Sequence, residues 1–254
     1  MTRWPAHLLN ELHREWLMKK RYWFESVLGL GFMVTVFAGL LLAVVKVGGQ
    51  PLEAGGADGL IVGFAVWLFA LSASGSACQD VQEETSQRTL EQLCIAPLPL
   101  AGLLALRTAL SLGFAVLMLL LALAGAQALT GGRLQGHWGL TLAACVLGAP
   151  ALVGVGYALA GVFLLAKKAE MLQVITLPLV IALVALPAYP VNGLAALPYA
   201  LAAATARASA LGTVPSPTTW AWIALNAAFW GLLGGMAYRA LEQRARRLGV
   251  LGHF

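Results

Sequence analysis

The residues best suited to a specific chemical role lie in one stretch, residues 80–100, between two long apolar runs. The stretch carries four acids and one base, namely Asp80, Glu83, Glu84, Glu91 and Arg88. Cytoplasmic loops of membrane proteins normally carry an excess of Lys and Arg. The orientation of the chain therefore does not explain these acids, and they point to contact with a partner.

A short, capped helix is predicted in the middle of this stretch. The Thr89 hydroxyl can accept a hydrogen bond from the backbone N–H of Gln92, whose side chain can return one to the backbone of Thr89. Pro97 ends the helix after about two turns, because proline lacks an N–H and clashes with the preceding turn. Leu90 and Leu93 then share one face. A stiff helix with one apolar ridge is typical of a docking element, and the alternative is a tight turn between two spans.

No catalytic, cofactor-binding or metal-binding pattern is found in the sequence. The three cysteines and four histidines lack the spacing of zinc or redox ligands. Paired carboxylates, a His–Asp pair and an HExxH motif are absent, and so is the GxxxxGK[ST] loop that binds ATP phosphates. We therefore predict that the chain itself is not an enzyme.

The composition indicates a membrane protein. Hydrophobic residues make up 60% of the 254 residues and charged residues 11%, whereas soluble domains carry about 25% charged residues. The net charge of +5 does not predict nucleic-acid binding, because the bases flank apolar runs and form no stripe with interleaved aromatics.

Six apolar runs are long enough to cross a bilayer, which takes about 20 residues. The predicted spans are residues 26–45, 59–79, 108–129, 139–166, 171–189 and 219–238. The first run follows a charged stretch and no cleavage site follows it, so we expect it to be a span and not a signal peptide. The fold class is therefore an all-α membrane protein with six transmembrane helices, in a transmembrane permease domain covering residues 26–254.

The segment 190–217, before the last span, is predicted to be an external or re-entrant hairpin. Residues 195–211 are apolar, but they form a short run flanked by prolines and contain Arg207. An arginine at the membrane centre costs about 2.5–3.5 kcal/mol on the insertion scale. A seventh span is therefore disfavoured.

The first 25 residues form a separate region, predicted to be an amphipathic helix on the inner membrane surface. Leu8, Leu12 and Trp16 recur at helical spacing, and charged residues lie largely on other faces. The alternative is the polar start of a tilted first span.

The charge distribution predicts that both termini are cytoplasmic, in a multi-pass protein of the cell (inner) membrane. With the N-terminus inside, 13 of the 16 Lys and Arg residues fall on the cytoplasmic side. Only Lys46, Arg133 and Arg207 fall outside. The opposite orientation would reverse this ratio and break the positive-inside rule.

Small residues predict close helix packing in two spans. Gly231 and Gly235 form a GxxxG motif, and Gly154, Ala158 and Gly161 form a second stripe. Packing within the chain is favoured over a dimer seam.

The loop resembles the cytoplasmic segment of ABC-type exporter permeases of the second class, the family of drug, polysaccharide and lipid export. Those loops have an acidic stretch, then Gly-Thr-Leu-Glu-x-Leu, then a small residue and Pro. This chain has Glu83 and Glu84, then the segment 89–93 with the sequence TLEQL, then Ala-Pro ending at Pro97. It departs from the pattern at Arg88, where Gly is usual.

The resemblance implies a half-transporter without catalytic residues. Two permease chains would pair as a homodimer or related heterodimer in membrane lipid, and each would dock a cytoplasmic ABC ATPase that binds ATP and Mg. No nucleic acid is implied. The cargo would be amphipathic or hydrophobic, because the spans offer almost no charge. The implied docking residues are Glu83, Glu84, Arg88, Thr89, Leu90, Glu91, Gln92, Leu93 and Pro97.

Two alternatives remain. The loop is also similar to that of haem-exporter B subunits of cytochrome c maturation, which share the LEQL and PLPL segments found at 90–93 and 97–100. The second alternative is a non-transporting membrane scaffold or receptor subunit, which would have no ATPase partner.

Overall fold

The computed structural model describes residues 58–86, 100–129, 136–165 and 170–248, with eleven single positions between His13 and Gly39 that are all helical. The first predicted span as a whole, the interfacial-helix residues Leu8, Leu12 and Trp16, and the predicted loop helix lie outside the described residues. The chain divides into two units, residues 1–64 and 65–254.

The described elements are helices throughout. Their order is α1 (Asp58–Ser86), α2 (Leu100–Leu129), α3 (Trp138–Phe163), α4 (Glu170–Ala185), a 3₁₀ helix (Gly193–Ala196), α5 (Ala200–Ala210) and α6 (Pro217–Arg247).

Four of these helices, α1, α2, α3 and α6, are long and apolar enough to cross a membrane. They coincide with predicted spans two, three, four and six. The outward faces of α2 and α6 are apolar, with Leu117, Leu121, Phe229 and Leu232 all at least half exposed. The membrane character and the all-helical class predicted from the composition are therefore confirmed, at the level of four spans.

The fifth predicted span is shorter than expected. Helix α4 has 16 residues and ends at Ala185, four residues before the predicted end at Tyr189. The cause is local: a residue that precedes proline is driven away from helical conformation, and Leu186 precedes Pro187. The chain bends at Leu186 and enters the segment that contains the 3₁₀ helix.

The closest helix packing joins α3 to α6 through glycines. A side chain at Gly154 would clash with the backbone of Trp230, and one at Gly234 would clash with the backbone of Gly154. In the predicted GxxxG motif, Gly231 faces Pro150, whereas Gly235 faces open space. Internal packing is thus confirmed for Gly154 and Gly231, but Gly234 and not Gly235 makes the second close contact.

A buried apolar cluster joins α1, α2, α3 and α6 at the end of the bundle next to residues 87–99. We call it the stem cluster. Its members are Ala77, Cys78, Val81, Leu104, Ala160, Phe163, Leu164, Tyr238 and Ala245.

Candidate functional site

The loop predicted to dock a partner connects the end of α1 to the start of α2. Glu83 and Glu84 lie in the last turn of α1. The remaining predicted docking residues fall outside the described residues, and their role stays a prediction; they are Arg88, Thr89, Leu90, Glu91, Gln92, Leu93 and Pro97. The structure therefore describes the two helix ends that flank the loop.

These two helix ends are joined by a buried ion pair. Arg107 Nη1 of α2 donates to Glu84 Oε1 of α1 at 2.7 Å, and the two side chains are only 4% and 8% exposed. Burying two charges is costly unless they are paired in good geometry, and removal of one partner leaves the other uncompensated. The pair therefore fixes α1 and α2 to each other at the base of the loop.

The ion pair continues into a polar and aromatic contact with the rest of the bundle. Thr108, the residue after Arg107, places its Oγ1 3.3 Å from the hydroxyl of Tyr157 in α3. The Tyr157 ring packs edge-on against Tyr238 of α6, with ring centroids 5.5 Å apart. Helix α2 is therefore connected to α3 through Thr108, and α3 to α6 through the two tyrosines.

The two acids of α1 differ in what they can offer a partner. Glu84 is 6% exposed and its carboxylate is engaged by Arg107, whereas Glu83 is partly exposed. Within the chain Glu84 connects α1 to α2 through Arg107. Its predicted contact with a partner is not tested by the structure.

The ion pair is not predicted from the sequence. The available signal was an acid and a base near the ends of two helices that flank one loop. Periodicity does not predict pairing between residues 23 positions apart, so only the fold brings the two together.

The segment before α6 forms a second polar region, which we call the hairpin cap (residues 186–216). Asn226 of α6 makes the largest number of hydrogen bonds to it. The Asn226 side-chain amide donates to the carbonyls of Ala195, Ala196 and Leu197 at 3.0–3.2 Å, and its oxygen accepts from the backbone N–H of Tyr199 at 3.3 Å.

Three further contacts fix the hairpin cap to its neighbours. The Trp230 indole N–H donates to the Ala196 carbonyl at 2.9 Å. Arg207 Nη2 donates to the Leu186 carbonyl just past the end of α4 at 2.8 Å, a favourable place for a cation because of the helix dipole. The Thr141 hydroxyl of α3 lies 3.3 Å from the Ala206 carbonyl.

The hairpin cap is therefore a folded element in which helix α5 is almost fully buried. Two asparagines of this region have structural roles. In the structure Asn226 holds main-chain groups of the cap, and Asn192 caps the 3₁₀ helix through the backbone N–H of Leu194.

In the parts of the chain that the structure describes, no three His, Cys, Asp or Glu side chains come close enough to hold a metal ion.

The chain matches no protein-family model, and neither a curated protein nor a solved structure is significantly similar to it.

Proposed function

We propose that the chain is the transmembrane permease subunit of an ATP-binding-cassette exporter. It moves an amphipathic or hydrophobic substrate out of the cytoplasm and works as a dimer. A separate cytoplasmic ATPase hydrolyses the ATP. The observation that carries the proposal is the acidic, capped loop pattern from Glu83 to Pro97 between two long apolar helices.

In this proposal the loop helix seats in a groove of the ATPase and passes its closure to the membrane helices. A rigid connection is needed, because a slack loop would absorb the displacement. The buried Glu84–Arg107 pair at the base of the loop supports this role, since it binds the helix that enters the loop to the helix that leaves it. Thr108 and Tyr157 extend the connection to α3.

The nature of the cargo follows from the chemistry of the helices. The buried ion pair lies toward the loop end of α1 and α2, and residues 139–163 of α3 carry no Asp, Glu, Lys or Arg. Ionisable residues inside the membrane mark ion and proton pathways. Their scarcity supports an amphipathic or hydrophobic cargo over a small ion.

A haem-exporter B-type subunit of cytochrome c maturation is the second candidate. The LEQL and PLPL segments of the loop favour it. It would use the same ATPase-driven arrangement with a different set of partners, so an adjacent cytochrome-maturation gene would distinguish it from the first.

The proposal is tested by Leu90→Asp and Leu93→Asp, with Leu90→Met as the volume-matched control. Each buried leucine contributes about 1.5–3 kcal/mol to an apolar contact, so a carboxylate there is expected to release the ATPase. The measurement is co-purification of an ABC ATPase with the chain from its own cells, together with ATP turnover of the complex in reconstituted vesicles.

Both Asp variants are expected to insert normally but to lose the ATPase, and Leu90→Met to retain it. Normal co-purification and turnover in both Asp variants would contradict a docking role for the loop. Failure of the unmodified chain to bind any ATPase would favour the scaffold or receptor alternative.

A further inference from the structure

Helix α6 continues well past the length that a membrane core requires. Its 31 residues extend about 46 Å at 1.5 Å per residue, whereas the hydrocarbon core is about 30 Å thick. The apolar part is the predicted span 219–238, so residues 239–247 extend to the level of the lipid headgroups and beyond.

The final turns of α6 have two different faces. Tyr238, Glu242 and Ala245 are buried against the bundle. Arg239 and Arg247 are exposed, and at 100° per residue they project away from that buried face.

The same exposed surface is apolar further back along α6. Phe229, Leu232 and Met236 are 58%, 68% and 59% exposed, and the helical repeat places them in line with Arg239 and Arg247. A surface that faces lipid tails thus continues directly into a basic surface at headgroup level.

The basic surface is not neutralised within its own helix. Glu242 is the one acid in residues 239–247, and it is buried and accepts from Arg246 at 2.7 Å. Arg239, Arg244 and Arg247 are exposed and form no ion pair within the parts of the chain that the structure describes.

We propose that Arg239, Arg244 and Arg247 form a binding surface for the anionic headgroups of phospholipids in the leaflet at the C-terminal end of α6. At 100° per residue they lie about 100°, 120° and 180° from the buried Tyr238 around the helix, so all three are on its exposed side. Continuity with the tail-facing surface favours lipid over an acidic protein, because a lipid fills both parts of the surface at once. Each arginine near an anionic membrane surface is expected to change affinity roughly fivefold. The inference does not depend on the ATPase.

The test is native mass spectrometry of the full chain in detergent, titrated with palmitoyl-oleoyl phosphatidylglycerol or with the matching phosphatidylcholine. The variants are the triple substitutions to Gln and to Lys at 239, 244 and 247. The unmodified chain should prefer phosphatidylglycerol, the Gln triple should lose about a hundredfold of that preference, and the Lys triple should keep most of it. Thermal unfolding and gel filtration of the Gln triple establish that it remains folded.

Three results would overturn the proposal. One is no lipid preference in the unmodified chain, and another is an unchanged preference in a folded Gln triple. The third is displacement of phosphatidylglycerol by excess inorganic phosphate, which would indicate a free-anion site. Loss of a co-purifying ATPase in the Gln triple, with lipid preference unchanged, would assign the surface to an acidic protein instead.

Discussion

The hairpin cap and the loop stem, by which we mean the Glu84–Arg107 pair together with the stem cluster, are held to the bundle by different kinds of interaction. At the cap, neutral side chains such as Asn226 and Trp230 hold main-chain carbonyls through many separate hydrogen bonds. At the stem, one buried ion pair, Glu84–Arg107, joins the helices next to a cluster of apolar and tyrosine side chains.

The difference indicates which end is suited to transmit movement. Hydrogen bonds to the backbone are directional and numerous at the cap, so the loss of one leaves the others in place. At the stem, removal of one member of the ion pair takes the opposite charge away from a buried ionised group, which is costly. We therefore expect the hairpin cap to stay rigid when one of its contacts is lost. We expect the stem to be the place where a single substitution weakens the connection between the loop and the bundle.

The two ends are expected to lie on opposite sides of the membrane, which is the largest difference between them. Single cysteines at Val214 in the cap and at Val250 beyond α6 are introduced into a chain in which the native cysteines are replaced by alanine. A membrane-impermeant maleimide on intact cells should label the cysteine at 214, and the cysteine at 250 only after the cells are opened. Labelling of position 250 from outside would overturn the predicted topology.

Breaking the stem ion pair should have the next largest effect. Arg107→Met leaves the Glu84 carboxylate buried without the Arg107 guanidinium, which costs about 3–5 kcal/mol, whereas replacing both residues by apolar ones, Glu84→Leu and Arg107→Met, is often nearly neutral. The measurement is the thermal unfolding midpoint in lipid nanodiscs. Equal midpoints for the single and the double variant would show that the pair does not hold the stem.

An alanine at Gly234, which contacts α3, should lower the unfolding midpoint more than an alanine at the adjacent Gly235. Gly234→Ala drives a methyl group into the backbone of Gly154, and overpacking of this kind costs about 1–3 kcal/mol. Gly235→Ala is the matched control, because it faces open space and removes a flexible glycine from a helix, a gain of about 0.5–1 kcal/mol. Equal unfolding midpoints for the two variants would contradict the packing.

Loss of the cap anchor should have the smallest effect. Asn226→Ala removes contacts to three carbonyls and to the N–H of Tyr199, but several of these groups are partly exposed to solvent. The expected cost is about 1 kcal/mol, with faster hydrogen exchange at Tyr199. Asn226→Asp sets a carboxylate oxygen against the same three carbonyl oxygens and should therefore not restore slow exchange. A cost as large as that of Arg107→Met would remove the proposed contrast between the two ends.

Much of the helix layout was predictable from hydropathy, because long apolar runs such as 219–238 have few alternatives in a membrane. The end of α4 was predicted four residues too late, because hydropathy does not show that Pro187 drives Leu186 out of the helical conformation. The Glu84–Arg107 pair and the choice of Gly234 over Gly235 depend on how helices are rotated against each other. Hydrophobic periodicity does not determine that rotation between helices that are apolar on all sides.

The proposed function is tested most directly by photo-crosslinking at the loop. A photoreactive residue at Leu90 in the membrane-inserted chain is illuminated while a photoreactive ATP analogue labels nucleotide-binding proteins. The result expected of an exporter permease is one crosslinked product that carries the ATP label and is absent when the photoreactive residue is placed at Val214. A correctly inserted chain that crosslinks to no ATP-binding protein at Leu90 would contradict the proposed function.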